Sequence, residues 1–306
     1  ETLNLDWGFV DQAVSEKTLA VVSTSLFGNP VRITDVDSFR DKYPDIPIVQ
    51  DCAHSFFAGG VHKEGIAAVY GMNVSKLMTT VFGGMVSTND KDLSNWLRNY
   101  QQRRLSAPTG LRRLLRSLYL VGSLVAFSRP FYRVTFLLQS AGFLERFVSY
   151  YRPDSIDFPK DAYTQIGSVE SELGMRQIRT YETEVIRRRK IAALYAERLS
   201  SSAHLKILEY GPAPTYSHFV LTADSADQIY MQMKVRGVEL GRIVDYDVSS
   251  LPAYENSLYF GTGVSNKLPL SVLNLPIHRA VSSNVAEYIL RKLRDAETAL
   301  EKESVS

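Results

Sequence analysis

Through the first hundred positions, apolar residues gather in short runs set off by turn signals. "LAVVSTSLF" (19–27) predicts a buried strand, closed by the turn "GNP" at 28–30. "ITDVDSFRDKY" (33–43) places Ile33, Val36 and Phe39 at helical spacing. "IPIVQDCA" (46–53) and "GIAAVYGMN" (65–73) are two further apolar runs, "GGMVSTND" (83–90) reads as a strand entering a turn, and "DKDLSNWLRNYQQRR" (90–104) as a helix. Strand and helix alternating in this way predict an α/β layer with mostly parallel strands. In such sheets the polar groups at the carboxyl ends of strands are the ones that meet ligands.

Later in the chain the period lengthens. Residues 163–200 carry a long helical pattern, in which "EVIRRRKIAALYAERLSSS" (184–202) sets Val185, Ile186, Ile191, Leu194, Tyr195 and Leu199 beside a charged face. The run Arg187–Arg189 reads as part of that face, solvated and salt-bridged. Beyond it, strands at 205–208 and 218–223 and helices at 225–237 and 282–302 predict a smaller α+β domain.

Residues 103–152 differ from their surroundings. They hold nine arginines, no lysine and one acid, Glu145, so this stretch carries a net +8 while the whole chain sums to +2. The apolar runs "LYLVGSLVAF" (118–127) and "VTFLLQSAGFL" (134–144) are each shorter than the roughly 20 residues a membrane span needs. Separated by Arg129-Pro130, they predict two short helices joined by a turn. Residues 105–152 thus form a basic, apolar insertion between the C-terminal portion of a large domain (1–104) and a linking helix with a small domain (153–306). Two roles suit it: packing on the domain with its arginines in water, or contact of 105–150 with an anionic membrane or a protein partner.

The totals narrow the classes. A chain of 306 residues, 45% hydrophobic and 22% charged, is an ordinary globular composition with room for a sizeable core. The small net charge gives no sign of a nucleic-acid binder. Cys52 is the sole cysteine, which excludes an internal disulfide framework and a multi-cysteine zinc site and points to a reducing, cytoplasmic compartment. A first residue of Glu1 gives the expectation of a processed or truncated piece of something longer.

Asp51 closes the run "IPIVQ" and Lys76 follows the next apolar run, so neighbouring parallel strands would bring both to one rim. That pair suits pyridoxal phosphate chemistry. A lysine amine forms a Schiff base with the cofactor's aldehyde, and a carboxylate keeps the pyridine nitrogen protonated, which makes the ring an electron sink. A strand-end aspartate and a loop lysine also make ordinary salt bridges, so the pair alone leaves both readings open.

The words around the pair carry more. "TLNLDWGFVDQAV", "LFGNP", "IPIVQDCAHSFFA", "NVSKLMTTVFGGMVSTND", "LGMRQIRTYETEVIRRRKIAALYAERL" and "LPLSVLNLPIHRAV" stand in an order that resembles the DegT/DnrJ/EryC1/StrS family of pyridoxal-phosphate-dependent sugar aminotransferases. The likeness runs from Thr2 to about Asp295, broken by the insertion. It implies a fold-type I enzyme, a large α/β domain with a mostly parallel sheet and a smaller C-terminal α+β domain, with two active sites shared across a homodimer. It implies transfer of an amino group, usually from glutamate, to a keto group of a nucleotide-linked sugar. By position, Lys76 is the Schiff-base lysine and proton-moving base, Asp51 pairs with the pyridine nitrogen, Ala53 lies against the ring, and His54 stands near the phenolic oxygen. A lysine at 76 counts against the family's sugar dehydratases, which carry histidine there. His218, in "TYSHFVL", resembles a slot near the domain junction, although its own pattern reads as a core or strand-edge histidine. His62, His204 and His278 have no neighbours in the sequence that suggest metal ligation.

Departures accompany the likeness. Gly71 stands where the family has a phosphate-holding serine, Phe82 replaces an acid often found at the sugar site, and "YTQI" (163–166) lacks the Asn and Arg that reach the partner's active site. The resemblance also implies roughly a hundred residues ahead of Glu1, among them a Gly-Thr helix start for the phosphate. Three functions follow as expectations: an active aminotransferase, a catalytically impaired or regulatory paralogue that binds, and another fold-type I enzyme such as an amino-acid lyase.

Overall fold

The computed structural model describes residues 2–56, 65–126, 162–242, 246–261 and 267–305, with 128, 130, 131, 134, 135, 137, 138, 154, 158, 244 and 263 between them. Asp6 opens α1 (Trp7–Ala13) by accepting from the Gly8 N–H at 2.9 Å. Next come β1 (Val21–Thr24), α2 (Ile33–Lys42), β2 (Ile48–Asp51), β3 (Ala67–Gly71) and β4 (Gly84–Ser87). They form one sheet in the order β1-β2-β3-β4. The first three strands are parallel, with Thr24 opposite Asp51 and Asp51 opposite Val69. β4 runs antiparallel to β3, because a single closed loop, residues 72–83, turns the chain straight back. The predicted parallel sheet is therefore present, with one reversed edge.

One face of this sheet packs Val21, Val36, Phe39 and Ile48 together with Val10 of α1. Another cluster gathers Cys52, Phe56, Ala68, Tyr70, Met72 and Met78 against Tyr181 and Val185 of the long helix α5 (Ser168–Leu199). The linking helix thus holds the strand ends from behind.

Between them lie α3 (Lys91–Arg104), opened by Asp90 accepting from the Leu93 N–H at 2.7 Å, and α4 (Gly110–Ala126). Where the sequence predicts a helix over 118–127, α4 starts earlier and takes in Arg112, Arg113 and Arg116. It ends in a turn in which the Ser128 N–H donates to Val125 O and the Phe131 N–H to Ser128 O. The second apolar run is described only in part, and residues 139–153 lie outside the described residues.

The C-terminal region contains β5 (Lys206–Ile207), β6 (Phe219–Thr222), α6 (Ala226–Val235), α7 (Leu268–Ser271), β7 (Val272–Leu275) and α8 (Ser283–Val305). Its strands form an antiparallel sheet in the order β5-β6-β7, with Leu221 opposite Leu273. Tyr195, Leu199, Phe219, Leu221, Ile229, Met233, Leu273, Leu290 and Leu293 fill the core between that sheet and α5, α6 and α8.

Candidate active site

β2 delivers Asp51 to the carboxyl end of the sheet. Its Oδ1 accepts from the Ala53 N–H at 3.0 Å, which fixes the carboxylate over the start of the following loop. Cys52 between them points into the core, and burial pushes its thiol up to about 12.

Lys76 stands in the loop between β3 and β4. Met72 O accepts from the Thr80 N–H at 2.9 Å, the Met72 N–H donates to Gly83 O at 3.1 Å, and the Lys76 N–H donates to Asn73 O at 3.1 Å. Gln177 of α5 ties the loop from outside, accepting from the Thr79 N–H at 3.2 Å and donating back to Thr79 O. Gly83 has φ +100°, and a Cβ there would sit 2.3 Å from Ile166 Cγ2, so glycine is required at that bend. The loop is thus a closed frame around one half-buried amine.

Burial lowers the Lys76 pKa from its ordinary value, and the Asp51 charge opposes that shift. A Cβ on Gly71, at the end of β3, would lie 3.6 Å from Lys76 Cε and 3.2 Å from Ala53 Cβ. Two small residues therefore leave room for the lysine stem against the strand ends.

His54 completes the rim. Its Nδ1 accepts from the Phe27 N–H at 3.2 Å, so the ring proton resides on Nε2. Burial, with the Lys76 charge second, holds its pKa down at about 4, and the ring is neutral at pH 7. Its backbone carbonyl accepts from Thr215 Oγ1 at 3.1 Å. The Phe27 ring stacks at 6.3 Å between centroids, and the His218 ring lies 5.4 Å away. Burial, then the charges of His54, Arg188 and Lys76, bring His218 down to about 3.

The structure brings Asp51, Ala53, His54 and Lys76 together, with Gly71 at the same strand end. It adds Phe27, which the sequence did not single out, and His218, which resembles a slot near the domain junction while its own pattern reads as core or strand edge. Phe27 aims its N–H at His54, and the phenylalanine before the Gly-Asn-Pro turn was the available signal. His218 arrives from the C-terminal region. The face expected at Arg187–Arg189 is salt-bridged as read, with Arg187 at 2.7 Å and Arg188 at 3.0 Å from Glu184 Oε1, but its solvated part is corrected. Arg187 donates to Ile277 O and Val281 O, Arg188 to Tyr216 O and Ser217 O, and Arg189 to Pro214 O and Ala213 O. All three fasten α5 to loops of the C-terminal region.

Of the other histidines, His204 faces Glu301 at 3.0 Å on the surface, His278 is exposed near Arg187 and Arg188, and His62 lies outside the described residues. Phe82 is covered by α4: the Arg116 guanidinium lies 5.0 Å over its ring and Tyr119 packs at 5.3 Å. The segment 163–166 is knitted to Ser106, with the Gln165 N–H donating to Ser106 O at 2.9 Å and Arg112 donating to Thr164 Oγ1.

The donor set fits an aromatic aldehyde cofactor. An acidic group and an amine of lowered pKa share one rim, with small residues between them and a neutral N–H donor beside them.

A family profile, that of the DegT/DnrJ/EryC1/StrS aminotransferases, matches residues 1–116 and 162–294 and passes over the segment between. The chain is similar to GDP-perosamine synthase of Escherichia coli O157:H7, at 21% identity over 96% of this chain and 70% of that protein. It is also similar to dTDP-4-amino-4,6-dideoxy-D-glucose transaminase of Shigella dysenteriae, at 20% identity over 94% of this chain and 68% of that protein. Among solved structures, a DegT DnrJ EryC1 StrS aminotransferase from Brucella abortus superposes with a TM-score of 0.71 at 16% identity, covering 96% of this chain and 70% of the other.

Proposed function

This chain belongs to the DegT/DnrJ/EryC1/StrS aminotransferase family, and on that premise we propose that it transfers an amino group, from glutamate, to a keto group of a nucleotide-linked sugar. The observation that carries this reading is the convergence of Asp51 and Lys76 at one sheet rim, with the lysine amine partly desolvated.

Pyridoxal phosphate, when bound, supplies an aldehyde for the lysine and a ring that stores electrons during amino transfer. Lys76 is the residue that would hold the aldehyde carbon, and its lowered pKa raises the fraction of neutral amine available for attack and for moving a proton. Asp51, oriented by the Ala53 N–H, would keep the ring nitrogen protonated. Ala53 would lie against the ring face. His54 would donate its Nε2–H to the phenolic oxygen, a role available to it because Phe27 occupies Nδ1. Sites shared across a homodimer and a cytoplasmic location belong to the same reading.

The test is the full-length protein purified with pyridoxal phosphate. A visible absorbance band that disappears in Lys76→Ala is expected, together with glutamate-dependent amination of a keto nucleotide sugar that falls by at least about a hundredfold in the variant. Absence of any lysine-dependent band would sink the proposal. A second reading, a paralogue that binds without turning over, draws on the covering of Phe82 by Arg116 and Tyr119. A lysine-dependent band with no amino transfer to any nucleotide sugar would favour it.

A further inference from the structure

Among the described residues, the hydrogen bonds, ion pair and ring contacts that attach helix α4 to the protein lie on one side of it. Arg116 bridges to buried Glu170 at 3.2 Å and donates to Gln165 O at 3.2 Å, Arg112 donates to Thr164 Oγ1, and Tyr119 packs on Phe82. The opposite side carries Leu111, Leu114, Leu115, Leu118, Val121 and Val125, which are 46–68% exposed. At 3.6 residues per turn these six span an arc of about 120°. Gly122 lies in the same arc, and a Cβ there would meet nothing within 4 Å. After the turn at 128–131, Phe131, Val134, Leu137 and Leu138 are exposed as well.

The charge around this face decides what fits it. No acidic residue occurs between Asp92 and Glu145, and every basic residue in that interval is arginine. Arg103, Arg104 and Arg113 are exposed. A second copy docking here would set one acid-free arginine rim against another. An anionic lipid surface offers hydrocarbon for the leucines and phosphates for the guanidinium forks. At 17 residues α4 is about 25 Å long, shorter than a bilayer core. Among the described residues no helix is long and apolar enough to cross a membrane. The family profile passes over residues 117–161, so most of this face is additional to the shared fold.

We propose that α4 is an in-plane docking helix that holds the protein on an anionic lipid bilayer, with Leu111, Leu114, Leu118 and Val121 entering the acyl boundary and Arg113 at the headgroups. Arg116 and Tyr119 seat the same helix on Phe82, so the docking surface is fixed directly to the loop that carries Lys76. The inference rests on the helix and stands whether or not the chain binds pyridoxal phosphate.

The experiment uses the full chain and vesicles of phosphatidylcholine with or without phosphatidylglycerol. Cosedimentation with anionic vesicles is expected, weakening as salt is raised, with little binding to phosphatidylcholine alone. Leu114→Glu and Leu118→Glu should each reduce binding roughly tenfold or more, and Arg113→Gln roughly fivefold. Because Cys52 is buried, Leu118→Cys can carry an environment-sensitive dye, whose emission should shift to the blue only when anionic vesicles are added. Circular dichroism and light scattering confirm that each variant keeps its fold and mass. Equal binding to both vesicle types, or none at low salt, overturns the proposal. So does a dye already shielded without lipid, or an oligomer that dissociates in Leu118→Glu, since either assigns the face to protein.

Discussion

His54 and His218 are kept neutral chiefly by burial, with folded-state values of about 4 and about 3. An unfolded chain takes up protons on these rings below about pH 6.5, whereas the folded chain does not until lower pH. Stability is therefore fully present above 6.5 and is lost as pH falls toward 4, with a slope approaching about 1.4 kcal/mol per pH unit for each histidine. Denaturation midpoints should hold level from pH 7.5 to about 6.5 and then fall toward pH 4.5 in the wild type, less steeply in His54→Gln. A glutamine can still accept from the Phe27 N–H but cannot titrate, so parallel curves would remove the histidines from the explanation. Gly71 makes a second residue-scale case. A serine there would bring its Cβ to 3.2 Å from Ala53 Cβ, which asks for a shift of a few tenths of an ångström. We expect Gly71→Ser to cost no more than about 1.5 kcal/mol in a chemical melt, a larger loss meaning that the rim cannot relax. Asp51 and Lys76 were legible in sequence because each follows an apolar run that ends at a strand's end. His218 was legible only as a slot near the domain junction, because the contact that brings its segment to the rim, Thr215 to the His54 carbonyl, spans 161 residues of chain.

At the scale of elements, α5 shows what periodicity conveys and what it omits. Its apolar spacing announced a long helix, and Val185, Ile191, Tyr195 and Leu199 are indeed buried along it. Three adjacent arginines point around a helix in different directions, so the pattern could not tell a solvated face from a set of clamps. Glu184, one turn back, was a readable partner for Arg187 and Arg188, but their other partners, and those of Arg189, are backbone carbonyls at 213–217 and at 277 and 281, groups with no sequence signature. Arg188 is the most enclosed of the three, bonding Glu184 at 3.0 Å as well as Tyr216 O and Ser217 O. Removing it strands two carbonyls that water reaches poorly. Arg188→Met should therefore cost about 2–4 kcal/mol, and Arg188→Lys most of that, since an ammonium lacks the fork. Arg189→Met, at a more open position, should cost about 1 kcal/mol. Calorimetric melts of the three variants check the ranking, and equal losses at 188 and 189 would contradict it. The insertion was legible in composition but its orientation was not. Only packing reveals that Arg112 and Arg116 face the protein while Leu111, Leu114, Leu115 and Leu118 face out.

Across the whole molecule, the two sheets are joined by a plug that neither region's sequence advertises. Phe27 is fully buried among Leu208, Val220 and Val272 of the C-terminal region, although it follows β1 in the N-terminal one. It adopts φ 58°, a conformation that costs a bulky residue on the order of 1–2 kcal/mol. The Phe27 N–H to His54 and the enclosed ring offset that strain. Asn29 reinforces the join, donating to Glu209 O at 2.8 Å and accepting from the Gly211 N–H at 2.8 Å. Gly28 at φ +79° leaves no room for a side chain beside Thr215. Three consecutive residues thus couple the regions, and Phe27 ties the coupling to the candidate site through His54. If this plug transmits stability, the intact protein should unfold in one calorimetric transition even though each region has its own core. Phe27→Ala removes the ring and should cost about 3–5 kcal/mol, enough to split that transition into two. Hydrogen exchange would then show protection retained on β6 and β7, buried with α5, α6 and α8, and lost first on β1 and β2. Uniform loss across both sheets would mean that α5 alone joins the regions and that Phe27 serves only to position His54. Because the plug also holds the His54 tautomer, Phe27→Ala should weaken retention of pyridoxal phosphate more than Asn29→Ala at equal loss of stability. Comparing the two variants separates coupling from positioning.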